Sequence, residues 1–259
     1  MLTSTRNPIL KSIRRAAQRG TLTDEGLCVA EGFHLLEEAL RSDREVPFVV
    51  TNESARRVVE SHVRGLNGVH LDVVPDALFR EVSTTETTQG VIALVRPPSW
   101  TAEHVLRGLS LTVVLDGIQE PGNAGAIVRT AEAFGATGVV FLKGTVSPFN
   151  PKCLRASAGS LFRLPALHGM DDDVFWAAAE QRRVAIYAAA PRAELTLEKA
   201  DLASRSVLII GSEGRGLRPE TARRAQEIRI PTTGVESLNA AVAAGILLYE
   251  ARRQRMKTE

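Results

Sequence analysis

The sequence predicts an α/β protein of two units, the second built on a parallel sheet. Three observations carry that expectation. The run 207–210 is continuously apolar rather than alternating, as suits a strand of a parallel sheet covered on both faces, and 111–115 and 138–142 are read as further strands. Strand-like and helical patterns alternate along the chain, which favours α/β units over separate all-helical or all-strand domains. Pro97-Pro98 interrupts that alternation, because consecutive prolines cannot continue a sheet ladder. The expected division is therefore a first domain at 1–97, a linker with a short helix at 98–110, and a second domain at 111–259.

The chain has 259 residues, 44% of them hydrophobic, and a formal net charge of +2. That composition is ordinary for a globular protein, and affinity for nucleic acid would have to come from local patches rather than overall charge. Cys28 and Cys153 are far apart and lack ligand-like neighbours, which predicts reduced structural thiols and no metal site. No stretch has the length of a membrane span and the N-terminus lacks a signal-peptide core. The expectation is a soluble cytoplasmic protein.

From the N-terminus, Asn7-Pro8 predicts a capped helix over 7–18, with Ile9, Leu10 and Ile13 on its apolar side. Arg6, Lys11, Arg14, Arg15 and Arg19 give the other side a cationic character, read either as phosphate contacts or as a solvated face. Strands are expected at 27–30, 47–50, 69–73 and 91–95, with helices beginning near Phe33, Ala55 and Asp76 between them.

The second domain opens with strand 111–115, and Asn123 is expected to cap a helix reaching Phe134, stopped by Gly135. Arg129 lies outside the apolar stripe of Ile127, Val128, Ala131 and Phe134, with its guanidinium expected over Gly125 and Ala126. The bland reading of Arg129 is a surface charge. Lys152, Arg155 and Arg163 are read as phosphate contacts or a solvated face. Asp171 to Asp173 should cap the helix that follows, and the five scattered histidines are read as structural. The final helix, 240–253, carries Ala241, Ala244 and Gly245 at close-packing spacing; an interior glycine costs on the order of 1 kcal/mol, so a close neighbour is expected.

The stretch Gly211-Ser-Glu213-Gly-Arg-Gly216 follows strand 207–210, and Ile230-Pro231 leads to Ser237-Leu238-Asn239. Loops after parallel strands lie at the sheet edge where ligands bind, and glycines let backbone approach a flat ligand. A dinucleotide fingerprint would need Gly-x-Gly-x-x-Gly after an early strand, and a triphosphate loop would need Gly-x-x-x-x-Gly-Lys-Ser/Thr; neither occurs.

Gly211-x-Glu213-x-x-Gly216, Ile230-Pro231 and Ser237-Leu238-Asn239, preceded by Asn123-x-Gly125-Ala-Ile-Val-Arg129-Thr-Ala131, resemble the three motifs of the SpoU (TrmH) family of RNA ribose 2'-O-methyltransferases, of the SPOUT superfamily. The stretch 150–165 also resembles the family. Val29-Ala-Glu31-Gly32 and Thr88-Gln89-Gly90-Val91 resemble the ribosomal-protein-like RNA-binding module that precedes its catalytic domain.

The resemblance implies a trefoil-knotted, parallel-sheet C-terminal domain, a homodimer formed through C-terminal helices, and methyl transfer from S-adenosylmethionine to RNA, most readily 23S ribosomal RNA. It implies a central role for Arg129, as base or as electrostatic stabiliser, with Glu213 available to orient it. Asn123, Ser237 and Asn239 would position ribose, phosphate or one another, and Gly211, Ile230 and Leu238 would hold the cofactor, with no metal required. The alternatives are a transfer-RNA 2'-O-methyltransferase, a non-catalytic RNA-binding assembly factor, and an oxidoreductase with an unusual glycine loop.

Overall fold

The structure, a computed structural model, describes residues 7–214 and 216–256. The chain divides into two compact units, one comprising Met1–Ser99 with Phe149–Arg163 and the other Trp100–Pro148 with Leu164–Glu259, in each case over the described residues.

In the first unit, α1 (Pro8–Arg19) starts where Asn7 Oδ1 accepts the main-chain N–H of Ile9 at 2.9 Å. Pro8 sacrifices no helical hydrogen bond at that position. Leu10, Ile13 and Ala16 form the buried face. β1 (Cys28–Glu31), β2 (Phe48–Asn52), β3 (His70–Val74) and β4 (Val91–Val95) then make a sheet ordered β1-β4-β2-β3. The β2–β3 pair is parallel, and β4 runs antiparallel to both its neighbours. Helices α2 (Phe33–Arg41), α3 (Arg56–Val63) and α4 (Asp76–Val82) link the strands. The core gathers Leu10, Ile13, Leu27, Val50, Phe79 and Ile92.

The Glu31-Gly32 and Gln89-Gly90 turns are fastened to each other and to the loop 83–88. Gln89 Oε1 accepts the N–H of Phe33 at 2.9 Å. The buried Glu31 carboxylate accepts from Ser83 Oγ, Thr84 N, Thr84 Oγ1, Thr85 Oγ1 and Thr88 Oγ1 at 2.5–3.0 Å. Burial pushes this carboxyl up, but the hydrogen bonds from Ser83, Thr84 and Thr85 outweigh it and hold the group below the ordinary glutamate value.

The cationic arm is partly spoken for. Arg14 stands 3.5 Å from Glu81 and Arg15 donates to Asp24 at 2.8 Å, while Lys11 and Arg19 are exposed. Arg6 lies outside the described residues. Both cysteines are free and buried, and burial pushes each thiol up to about 12.

The second unit contains α5 (Ala102–Val105), β5 (Leu111–Asp116), α6 (Pro121–Ala133), β6 (Gly138–Phe141), β7 (Ala166–His168), α8 (Asp172–Gln181), β8 (Ala185–Ala189), β9 (Leu195–Thr196), β10 (Ser206–Gly211), α9 (Pro219–Ala222), β11 (Gln226–Arg229) and α10 (Ala240–Arg255). Its seven strands are ordered β7-β6-β5-β10-β8-β11-β9 and every pair is parallel. β5, β6 and β10 are buried along almost their whole length, as strands of a parallel sheet covered on both faces are. The chain leaves β5 toward β6 and β7, whereas β10 pairs on the other side of β5. This reversal of direction leaves a crevice at the carboxyl ends of the strands.

Two stretches differ from the expected division. Residues 98–110 are not a free linker: Val105 and Leu106 are buried, and Trp100 packs on the same core as Phe175 and Ile209. Residues 149–163, expected in the second domain, belong to the first unit, where α7 (Pro151–Ser157) packs on β1. Phe149, Cys153, Leu154, Leu161 and Phe162 are buried, so apolar burial rather than sequence position assigns the segment. Arg155, expected at phosphates, donates to Thr84 Oγ1 at 2.6 Å and lies 4.0 Å from Glu31. Arg163 is paired with Glu38. Lys152 and Arg163 are both exposed, and Arg155 is half-buried.

Candidate active site at the carboxyl ends of the parallel sheet

β10 ends at Gly211, and the chain turns so tightly that Ser212 and Gly216 exchange main-chain hydrogen bonds at 3.1 and 2.9 Å. A Cβ on Gly211 would stand 2.7 Å from the carbonyl carbon of Gly216 and 3.0 Å from the nitrogen of Leu217. The glycine is therefore required by the loop's own backbone, whatever ligand the loop meets. Gly216 has φ +66°, a conformation that glycine adopts without a side-chain clash.

Glu213 rises from this turn. Its Oε1 accepts from Asn123 Nδ2 at 2.9 Å, Asn239 Nδ2 at 2.8 Å and the main-chain N–H of Ala240 at 3.1 Å. Asn239 Nδ2 also approaches Asn123 Oδ1 at 3.2 Å. The last helix explains Asn239: it is the N-cap of α10, its Oδ1 accepting from Ala241 N and Val242 N at 2.9 and 3.2 Å. Oδ1 serves the helix and Nδ2 serves Glu213, so one amide fixes both. The carboxylate also sits at the positive end of α10.

Asn123 is not a helix cap. α6 begins two residues earlier at Pro121, and Glu120 is its cap, accepting from Gly122 N. Asn123 sits in the first turn and is free to reach Glu213 and Asn239.

Two cavities meet at the 211–217 loop. One of about 160 Å³ is walled by Ile210, Gly211, Ile228, Ile230 and Leu238, with Thr232, Glu236, Ser237 and Glu213 as polar groups. The other, about 950 Å³, is a wider cleft bordered by Asp116, Gln119, Asn123, Lys143, Glu213 and Arg218. Ser212, Glu213, Gly216 and Ala240 line both. The first cavity also touches Ala189, Ala190 and Pro191, which no sequence motif singles out. Their signal is positional: β8 pairs with both β10 and β11, so its end must lie between their two loops.

Arg129 stands apart from this constellation. It is exposed on α6, lines neither cavity, and has no hydrogen-bond or ion-pair partner among the described residues. The expectation that Glu213 orients it is corrected, because the partners of Glu213 are Asn123, Asn239 and Ala240. Six residues beyond Asn123, Arg129 is roughly 9 Å further along the helix and about 240° around it, on a different face.

The narrow cavity fits S-adenosylmethionine chemically. Its isoleucines and leucine offer an apolar slot for a purine, and its polar margin suits ribose and amino-acid groups. Among the described residues no group of three or more His, Cys, Asp or Glu could hold a metal, and no helix is long and apolar enough to cross a membrane.

Residues 7–93 match the MRM3-like substrate binding domain. An uncharacterised tRNA/rRNA methyltransferase of Synechocystis sp. is 34% identical, over 98% of this chain and 94% of its own length. The 23S rRNA guanosine 2'-O-methyltransferase RlmP of Bacillus subtilis is 31% identical, over 96% of this chain and 98% of its own. The crystal structure of the SpoU methyltransferase AviRb from Streptomyces viridochromogenes in complex with the cofactor AdoMet superposes with a TM-score of 0.86 at 26% identity, covering 97% of this chain and 99% of that one. Residues 110–249, which hold both cavities and the Asn123–Glu213–Asn239 cluster, match the SpoU rRNA Methylase family, and the chain belongs to that family.

Proposed function

We propose that the protein transfers a methyl group from S-adenosylmethionine to a ribose 2'-hydroxyl of 23S ribosomal RNA in the cytoplasm. The observation that carries this reading is the convergence of Asn123, Asn239 and Ala240 N–H on one oxygen of Glu213, in the wall shared by an apolar slot and a wide cleft. S-adenosylmethionine, when bound, supplies an electrophilic methyl group with a neutral thioether as leaving group. Gly211, Ile230 and Leu238 would hold it in the slot, together with Ala189 to Pro191.

The acceptor hydroxyl is a poor nucleophile at neutral pH, so the site must help it lose its proton or stabilise the alkoxide. With Oε1 occupied by three donors, Glu213 serves as a fixed acceptor that sets the two asparagine amides. Ser237, exposed on the slot's margin, is placed to meet ribose or phosphate. Arg129 is exposed, and its planar fork of donors suits the role of electrostatic stabiliser of developing negative charge.

Arg129 lines neither cavity, so in this reading it meets the acceptor when RNA is bound or across from a second copy of the chain. Val242, Ile246 and Tyr249 form an exposed apolar stripe along α10, at the i, i+4, i+7 spacing of a packing face. This supports a homodimer through α10. The strand order, with β10 between β5 and β8 and β11 beyond β8, is compatible with threading of the C-terminal segment into a trefoil knot. The first unit is assigned to RNA selection.

Incubation with tritiated-methyl S-adenosylmethionine and an unmodified 23S ribosomal RNA transcript should label the RNA, with mass spectrometry locating the label on a 2'-oxygen. Label on transfer RNA instead would support the alternative substrate. No label on either RNA, despite tight cofactor binding, would sink the reading in favour of an assembly factor.

A further inference from the structure

The wall between the two cavities has a foot, and it is Arg218. Asp116 closes β5 with its side chain wholly buried. Its carboxylate receives the main-chain N–H of Arg218 at 2.9 Å on Oδ2 and the Nε–H of the same residue on Oδ1. The far side of the guanidinium donates from Nη2 to Asp172 Oδ2 at 2.8 Å, and Nη1 lies 3.5 Å from Glu220. Asp172, in the first turn of α8, accepts the main-chain N–H of Lys143 on its other oxygen at 3.2 Å. One guanidinium thus joins the end of the 211–217 loop to β5, to α8 and, through Asp172, to the segment after β6. Asp116, Lys143 and Arg218 all border the wide cleft.

We propose that Arg218 is a positioning residue for methyl transfer, fixing the foot of the 211–217 loop against Asp116 and Asp172 and so setting where Glu213 stands between the two cavities. The inference rests on the methyl-transfer reading. Arginine suits the task because its planar fork can engage two carboxylates from opposite edges, whereas a lysine ammonium is a point charge. The Ser212–Gly216 turn is closed by main-chain bonds, so the loop can pivot as a body once its foot is loosened. Displacement of about 1 Å at a reacting site can cost about 100-fold in rate.

The test uses the full-length protein in three forms: Arg218→Ala, Arg218→Lys, and Arg218→Ala combined with Asp116→Asn. Removing the arginine alone leaves a buried carboxylate uncompensated, so Arg218→Ala should melt earlier, and the double variant should recover most of that loss. With saturating S-adenosylmethionine and 23S ribosomal RNA transcript, the single-turnover rate should fall about 100-fold in both. Calorimetric affinity for S-adenosylmethionine, whose slot the same loop lines, should fall by about tenfold or less, well short of the loss in rate. Millimolar guanidinium should partly restore the rate of Arg218→Ala, and Arg218→Lys should keep its fold while remaining slow. Amide hydrogen exchange over 211–217, which needs no RNA, should quicken in the double variant and in Arg218→Lys.

Recovery of both melting temperature and rate in the double variant would show that Arg218 only neutralises Asp116, and would overturn the proposal. So would unchanged exchange over the loop. An inert wild-type protein would instead count against the methyl-transfer reading, leaving the exchange measurement to judge the anchoring role.

Discussion

Glu31 and Glu213 both follow a short strand-like run into a glycine turn, and both carboxylates are ringed by donors, yet their surroundings differ in kind. Glu31 is 4% exposed and accepts from four residues of the loop 83–88, ending within 4.0 Å of Arg155. Glu213 is exposed and bonds the side chains of two residues that lie 90 and 26 positions away. A buried carboxylate satisfied by hydroxyls holds a fold together, because removing it strands its donors. An exposed one that gathers amides from distant parts of the chain gains little stability and makes sense as part of a site.

The largest expected effect separates the two. Glu213→Ala should lower methyl transfer by about 10²–10³-fold, the range for removing a preorganised polar group, while the unfolding free energy moves by about 1 kcal/mol or less. Turnover near the wild-type level would reduce the Asn123–Glu213–Asn239 cluster to a helix cap.

Glu31→Ala should do the reverse, costing about 3 kcal/mol of stability with S-adenosylmethionine affinity intact. The effect has a sign in pH. The folded-state carboxyl of Glu31 lies below its ordinary value, so its contribution is complete above the unfolded value of about 4.3 and is lost as pH falls through the lower folded value. The stability gap between wild type and Glu31→Gln, followed by urea denaturation, should therefore shrink on acidification below about pH 4. A gap that widens there would contradict the hydrogen-bond account.

A smaller effect tests whether a site glycine is shaped by ligand or by fold. Gly211→Ala places its Cβ against the Gly216 backbone, so the loop must shift and S-adenosylmethionine affinity should fall by about tenfold, or about 1.4 kcal/mol. Calorimetry on the folded variant giving unchanged affinity would place the cofactor elsewhere.

The smallest concerns the first unit's charges. Neutralising exposed Lys11 and Arg19 should flatten the salt dependence of RNA binding, by a slope of about 1 for each phosphate that is no longer neutralised. Neutralising Arg14 and Arg15, already paired with Glu81 and Asp24, should change it less. Equal slopes for the two pairs would mean that the ion pairs open on RNA.

How far the sequence is legible depends on range. The apolar run at 207–210 and the largely apolar stretch 111–115 announce buried parallel strands because their signal is local, and Asn7-Pro8 announces a helix start for the same reason. Asn123 reads as a cap, but Glu120, three residues earlier, competes for that job and wins. Arg155 and Arg163 look like phosphate ligands because their acidic partners are 124 and 125 residues away. β9, with two residues, is too short to carry a period. The glycine motif points to the right edge of the sheet, but the physical demand on Gly211 comes from Gly216, which no spacing rule reveals. Gly245 likewise looks like a close-packing glycine, yet an added Cβ would meet Thr130 only at 3.8 Å, ordinary van der Waals distance within one chain.

The excursion of residues 149–163 into the first unit has a consequence for the order of events on the ribosome. Residue 99 emerges 64 residues before residue 163, an interval of roughly 3–13 s at 5–20 residues per second. During that time the nascent first unit lacks Phe149, Leu154 and Phe162, and Glu31 lacks Arg155. It waits, incomplete, while β5, α6 and β6 of the second unit are being made. A protein shortened to begin near Trp100 would face the mirror problem permanently: Phe149, Cys153, Leu154, Leu161 and Phe162, buried in the whole chain, would have no surface to cover them. It should be recovered from cells as aggregate rather than as a folded enzyme.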